Sequence, residues 1–231
     1  MPTTSSPTSS KPSGELRRLG LAGWIGIAGG IVALGFVGRA SSGTTENAFY
    51  RYDFAVNSVI VYGVLVGLTL WIASAYGRPL AALGLKAASW RWVWIACGFI
   101  ILALILASAL EPLLHGGREQ GFSPERWQSR HAVAFAVNGV VAATVVPFAE
   151  ELFYRGLGVR VLRFLGGTVA VAGSAVAFAF GHAVLGALPP LLFFGLALGW
   201  VRLRSESVWP GVVAHGSYNG LAVLLTYATL Q

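Results

Sequence analysis

Seven long apolar stretches, separated by short polar connections, follow one another along this chain of 231 residues. Most are close to the ~20 residues that an α-helix needs to cross the hydrocarbon core of a bilayer. They predict transmembrane helices at 16–38, 54–76, 90–110, 131–155, 167–188, 189–203 and 209–229. The stretch 189–203 is short and opens with two prolines, which makes it the weakest of the set. The pattern therefore predicts an all-α, polytopic transmembrane helical bundle of about seven spans.

Composition supports this fold class. The chain is 55% hydrophobic and 11% charged, whereas about a quarter of the residues of a soluble domain are charged. Residues 1–14 are rich in Ser, Thr and Pro and are predicted to form a disordered tail. Residues 15–231 show no internal repeat and are predicted to form a single integral membrane domain. The first apolar stretch is too long for the core of a signal peptide, although cleavage near Ala40 is the alternative.

The positive charge of the chain indicates membrane orientation. The net charge is +7, but the basic residues lie in short connections rather than in one patch, so the lipid bilayer is the expected partner and nucleic acid is not. One set of alternate connections carries 11 Lys and Arg residues and the other set carries 5. Because basic loops stay on the cytoplasmic side, this bias predicts a cytoplasmic N-terminus and an external C-terminus.

The fourth span ends with the polar residues Glu150, Glu151 and Arg155. Charged groups at membrane depth are costly and usually functional. Glu151 and Arg155 are four residues apart, so they share a helix face and are predicted to form an internal salt bridge. Glu150 points about 100° away, given 3.6 residues per turn, and is predicted to be the free carboxylate. Pro147 is expected to kink the helix just before the two glutamates.

Two later spans carry polar pairs at one-turn spacing, Phe178 with His182 and His215 with Asn219. Glutamate with histidine forms a general-base pair that can activate water. Histidine and an asparagine amide are donors suited to an oxyanion. Taken singly, each motif is also explained by a charged helix end or by hydrogen bonds between helices. Their recurrence on three otherwise apolar helices favours one buried active site.

The same residues raise the question of a metal. Glu150, His182 and His215 could together bind zinc, which prefers nitrogen and carboxylate ligands. A metalloprotease helix would normally carry His-Glu-x-x-His, which this sequence lacks. No cofactor is therefore predicted, and a metal at these three residues is the less favoured alternative.

Together the motifs resemble one family. Glu150-Glu151-x-x-x-Arg155, Phe178-x-x-x-His182 and His215-x-x-x-Asn219, in this order, resemble the CPBP family of intramembrane proteases. That family includes the type II CAAX prenyl endopeptidases (the Rce1-like, or Abi, proteins) and bacterial proteins linked to bacteriocin self-immunity. The tract Ser207–Pro210 is also similar to the family, and the resemblance covers about 145–220.

The resemblance implies a glutamate-dependent endopeptidase of the CAAX type in a bacterial cell membrane. It implies that Glu150 activates water with His182, while His215 and Asn219 stabilise the oxyanion. Glu151, Arg155 and Phe178 would then support the site. The implied partner is a membrane-embedded or lipidated peptide, and prenylated tails, bacteriocin precursors and C-terminal sorting signals all remain open.

Two other function classes remain open as alternatives to the protease. A non-proteolytic binding or immunity protein could have the same fold, and a proton-coupled transporter could also use intramembrane Glu and His residues. A geometric difficulty accompanies the protease hypothesis. At 1.5 Å per residue, Glu150 and His215 lie about 9 Å from the cytoplasmic ends of their predicted helices, whereas His182 lies about 20 Å along its helix.

Overall fold

The computed structural model describes residues 14–41, 47–76, 79–116, 124 and 126–230. Within these ranges the chain is helical and contains no strand. The helices are α1 (Gly14–Ser41), α2 (Tyr52–Ser74), α3 (Pro79–Leu83), α4 (Trp90–Leu114), α5 (Ala132–Glu150), α6 (Gly167–Gly181), α7 (Leu188–Ser205) and α8 (Trp209–Thr229). Helix α5 continues without a break as a π-helix, Glu151–Gly158, and a last α turn, Val159–Leu162. Apart from Gly14, the predicted tail lies outside the described residues.

The helices are those of an integral membrane protein. Five helical stretches are long and apolar enough to cross a bilayer: Gly14–Ser41, Tyr52–Ser74, Trp90–Leu114, Ser129–Leu165 and Leu185–Ser205. Gly167–Gly181 is equally apolar but has 15 residues, and the 21-residue helix α8 carries the polar motif of His215 and Asn219. The predicted all-α membrane bundle is confirmed, and each predicted span overlaps one of these helices.

Two predicted boundaries are wrong. The fourth span was predicted to end at 155, but its helix extends to Leu162 because the π-helix carries it through Arg155. The fifth was predicted to extend to 188, but α6 ends at Gly181. There the chain reverses through Ala183, whose φ is +53°, and α7 starts at Leu188. His182 therefore ends its helix instead of lying within it.

Helix α5 and its π-helical extension form the centre of the bundle. All eight residues of the π-helix are buried. Two neighbouring helices donate to its carbonyls: Trp24 Nε1 of α1 to Phe153 (3.2 Å) and Ser174 Oγ of α6 to Tyr154 (2.7 Å). π-Helices are rare, and those that do occur are often found at functional sites, because the wider turn changes the direction of side chains. In this chain the π-helix begins at the second of the two glutamates.

The connections meet at two ends of the bundle. At one end, here called the basic end, Lys86 pairs with Glu206 (Nζ–Oε2 2.7 Å) and Val208 N–H donates to the Gly84 carbonyl (3.0 Å). At the opposite end, Tyr50 Oη donates to the Arg126 carbonyl (2.9 Å), and the turn at 183–187 lies beside Gly116. The structure thus groups the connections as the charge count did. Arg155 is fully buried beside Glu151 and does not belong to a connection, so without it the count is 10 against 5.

Candidate active site

The two adjacent glutamates face different helices. Glu150 points towards α2, where the Tyr62 hydroxyl donates to its Oε1 (2.9 Å). Glu151 points towards α8, and its Oε1 lies 3.1 Å from His215 Nδ1. Glu150 is 8% exposed and Glu151 is fully buried. Glu150 has no ion-pair partner within its own helix. Its hydrogen-bond partner is Tyr62, which lies 88 residues earlier in the chain.

The predicted salt bridge between Glu151 and Arg155 is confirmed. Arg155 Nη1 lies 2.9 Å from Glu151 Oε1, and both side chains are fully buried. The guanidinium also lies over the ring of Phe178, with Cζ 4.1 Å from the ring centroid, in the geometry of a cation–π contact. A buried charge is tolerated only with such partners. Arg155 and Phe178 therefore fix the position of Glu151.

His215 connects the two carboxylates. Since a carboxylate accepts, His215 Nδ1–H donates to Glu151, which leaves Nε2 facing Glu150 Oε2 at 3.8 Å. That Oε2 atom is buried and has no hydrogen-bond partner among the described residues. The imidazole packs edge-on against Phe194 and Phe178, at centroid distances of 4.9 and 5.9 Å. The aromatic rings and Glu151 together hold the ring towards Glu150.

His182 and Asn219 each have one backbone partner. His182 Nδ1 lies 2.8 Å from the Phe178 carbonyl. Because a carbonyl only accepts, Nδ1 carries the proton, and Nε2 of a neutral ring is free to accept one. Asn219 Nδ2 donates to the Ala142 carbonyl (2.9 Å). An amide has two N–H groups, so one remains available for another acceptor.

A cavity of about 280 Å³ brings three of the predicted catalytic side chains together. His182, His215 and Asn219 all line it, and Glu150 does not, lying instead beside His215. Its wall is otherwise largely apolar and includes Phe178, Leu191, Phe194 and Tyr218. The lining also includes Glu111, Gly116, Gly186 and Ala187, so the cavity extends to the end of the bundle opposite the basic end.

The observed helix boundaries remove the difference in depth between Glu150 and His182, while His215, six residues into α8, lies 3.8 Å from Glu150. Glu150 is twelve residues before the end of the extended helix at Leu162, about 18 Å at 1.5 Å per residue. His182 lies fifteen residues from the start of α6, about 22 Å by the same measure. Both residues are therefore at similar depth from the basic end.

Glu150, His182 and His215 are the candidate ligands for a metal ion. A zinc ion needs three or four protein ligands. Among the described residues, no three His, Cys, Asp or Glu side chains lie close enough to hold one ion together. Glu151 already binds both Arg155 and His215 Nδ1. The arrangement does not fit a metal site, so the chemistry below uses side chains alone.

Comparison with known proteins agrees with this geometry. The family model described as "Type II CAAX prenyl endopeptidase Rce1-like" matches residues 132–221. Residues 132–221, here called the Rce1-like domain, are similar to that family. The domain begins with α5, ends within α8 and contains every site residue predicted from the sequence. No significant match was found among curated proteins or among solved structures.

This match confirms the resemblance seen in the motifs and supports a membrane endopeptidase in general. One contributor to the site lies outside the domain. Tyr62 belongs to α2, and no spacing or motif in the sequence singles out this tyrosine in an apolar span. The Rce1-like domain thus receives one hydrogen bond at its Glu150 carboxylate from the N-terminal helices.

Proposed function

We propose that the Rce1-like domain is a CAAX-type intramembrane endopeptidase that hydrolyses a peptide bond of a membrane-associated or lipidated protein, with water activated by Glu150 and His182. The observation that supports it best is the position of His215. Its ring touches both buried carboxylates and also lines the cavity shared by His182 and Asn219.

In this proposal a water molecule in the cavity attacks the carbonyl carbon of the scissile bond. The water gives a proton to Glu150 or to His182 Nε2, both of which have an unused acceptor atom. The carbonyl oxygen becomes an oxyanion and accepts hydrogen bonds from the second N–H of Asn219 and from His215 Nε2–H. The abstracted proton then passes to the leaving nitrogen as the C–N bond breaks.

Charge balance supports these roles. His215 is doubly protonated in this scheme, donating from Nδ1 to Glu151 and from Nε2 to the oxyanion. The positive charges of His215 and Arg155 then balance the two negative charges of Glu150 and Glu151. All four side chains are nearly or fully buried. Buried charges are stable only as compensated sets. The negative charge of the oxyanion is offset by the proton that Glu150 or His182 takes from the water, so the net charge of the site does not change.

The substrate would be an extended apolar segment. A volume of about 280 Å³ is at the lower end of ordinary ligand pockets. The wall of Phe178, Leu191 and Phe194 favours apolar side chains on either side of the scissile bond. A segment released from the lipid into this cavity would meet these conditions.

The test compares protein termini in the membrane fraction of cells that carry the wild type, Glu150→Gln or Glu15→Gln. Glu150→Gln removes the carboxylate with little change of shape, whereas Glu15 is exposed in the first turn of α1 and serves as the matched control. We expect a set of new termini in the wild type and in Glu15→Gln that is absent with Glu150→Gln. Identical termini in all three strains at equal protein abundance would refute proteolysis and favour a binding role.

A further inference from the structure

Arg202 is a buried arginine far from the proposed catalytic residues. It lies in the last turn of α7 at the basic end and is 7% exposed. Its Nε atom is buried and has no hydrogen-bond partner among the described residues. Leaving a buried guanidinium donor unpaired costs free energy, so a built-in cation of this kind needs an acceptor from elsewhere.

The backbone beside Arg202 is shaped to hold the guanidinium. Gly84, in the connection after α3, has φ +80°, a conformation that favours glycine. A Cβ added there would lie only 2.6 Å from Arg202 Cζ. The guanidinium is therefore packed directly against the backbone of Gly84 and is not a mobile surface group.

Further cations surround this guanidinium. Arg160 and Arg163, at the end of the α5 extension, lie close enough to Arg202 to repel its charge. Glu206 is the carboxylate that faces the described part of this cluster, but it already pairs with Lys86 at 2.7 Å. Arg163 and Arg202 thus share a carboxylate that already pairs with a lysine, and Arg160 adds a third positive charge near Arg202. The excess positive charge is suited to an anion.

A second unpaired donor lies beside the arginines. The Tyr76 hydroxyl is buried and has no partner among the described residues. Arg160 Cζ lies 5.4 Å from the centroid of the Tyr76 ring, so this tyrosine lies beside one of the three arginines. Arginine binds phosphate oxygens with paired N–H groups, and a tyrosine hydroxyl can donate to the same anion.

The neighbouring side chains point to a lipid as the source of that phosphate. Phe164 and Leu165 follow Arg163 directly and are each half exposed. Apolar side chains at the end of a membrane bundle, next to a basic cluster, match the acyl region and the headgroup of a phospholipid. We propose that Arg160, Arg163 and Arg202 bind the phosphate of an anionic phospholipid at the basic end. This site does not depend on the proteolytic function.

The test measures thermal unfolding of the full chain in non-ionic detergent with phosphatidylglycerol or phosphatidylcholine of equal acyl length. We expect phosphatidylglycerol to raise the Tm more than phosphatidylcholine does. Arg202→Gln should remove this preference and weaken phosphatidylglycerol binding about fivefold, the effect of one basic residue near anionic lipid. Arg204→Gln is the control, because Arg204 is exposed at the same end and lies over Trp200 instead.

A further variant and a further ligand complete the test. Arg163→Gln changes an exposed side chain, so it decides the matter if Arg202→Gln does not fold, and it should also reduce the preference. Inorganic phosphate should not reproduce the rise in Tm. An equal rise with inorganic phosphate would overturn the lipid assignment. An unchanged lipid preference in both Arg202→Gln and Arg163→Gln would overturn the site itself.

Discussion

At the level of single residues, two neighbouring glutamates have separate surroundings. Glu151 is fully buried and its Oε1 atom is shared by Arg155 and His215, whereas Glu150 accepts a hydrogen bond from the neutral Tyr62 hydroxyl. A carboxylate paired with a fully buried arginine is a structural group, whereas one hydrogen-bonded to a neutral hydroxyl can act as a base. The difference in roles therefore follows from their contacts and predicts different effects of the same substitution.

Glu151→Gln should destabilise the protein more than Glu150→Gln. The first change leaves Arg155 buried without its counter-charge, which costs about 3–5 kcal/mol. Glu150→Gln keeps the hydrogen bond from Tyr62 and is expected to abolish cleavage while the fold persists. Thermal unfolding of the two purified variants, together with peptide release in membranes, separates these effects. Equal loss of stability in both would contradict the assignment.

Tyr62 is predicted to position Glu150. Tyr62→Phe removes the hydroxyl that donates to Oε1, so Glu150 should lose its fixed orientation and cleavage should fall by about tenfold, on the order of one hydrogen bond to a charged group. The pH profile of cleavage should shift as well, because the hydroxyl interacts with the ionised form of the base.

The control for Tyr62 is Tyr52→Phe, a change of the same kind at an exposed position of the same helix. It should leave both the rate and the pH profile unchanged. A Tyr62→Phe variant with a lower rate but an unaltered pH profile would indicate that the hydroxyl only stabilises the packing of α2.

The residue scale also shows what the sequence can reveal. Polar side chains in an apolar span are recognisable in the sequence because burying them in a membrane costs free energy. The residues recognised in this way are Glu150, Glu151, Arg155, His182, His215 and Asn219. Tyr62 is not among them, since tyrosine is common in membrane helices and its partner lies on another helix. A contact between distant segments leaves no spacing signal in a single sequence.

At the level of helices, close packing of α8 against the π-helix controls the site. A Cβ at Gly211 would lie 2.6 Å from Glu151 Oε2, so only glycine lets α8 approach this carboxylate. Gly211→Ala should push Glu151 away from Arg155 and His215, costing about 1–3 kcal/mol of stability and most of the activity.

Gly98→Ala provides the matched control for Gly211→Ala. Gly98 is also within a membrane helix, but a Cβ there would meet open space. Because alanine is the better helix former, this variant should be as stable as the wild type or slightly more stable. Thermal unfolding and cleavage assays on both variants test the prediction. If Gly211→Ala kept wild-type stability and activity, α8 would not set the position of Glu151.

The helix ends explain where prediction from sequence failed. Residues 183–188 remain apolar after His182, so hydropathy gave no reason to end the helix there. The chain reverses at Ala183, whose φ is +53°. Because positive φ is uncommon for alanine, the residue type does not predict a turn there. The π-helix was equally hidden, because Arg155 looked like the first residue of a polar connection when its charge is in fact buried against Glu151.

At the level of the whole molecule, the cavity and the basic connections lie at opposite ends. The cavity is lined by Gly116, Gly186 and Ala187, whereas Lys86, Arg202 and Glu206 mark the basic end. If basic connections are cytoplasmic, the cavity faces away from the cytoplasm. Substrates would then be segments presented from the outer side, such as sorting signals of surface proteins, and cytoplasmic prenylated tails would be excluded.

Cysteine labelling of intact cells decides between these substrates. In a Cys97→Ala background, Ser129→Cys marks the opposite end and Lys86→Cys marks the basic end, both at exposed side chains. We expect a membrane-impermeant maleimide to label Ser129→Cys and to spare Lys86→Cys until the cells are lysed. Because the single native thiol is removed, each signal has one source. The reverse pattern would place the cavity towards the cytoplasm, where a lipidated cytoplasmic tail becomes the better substrate for the same catalytic residues.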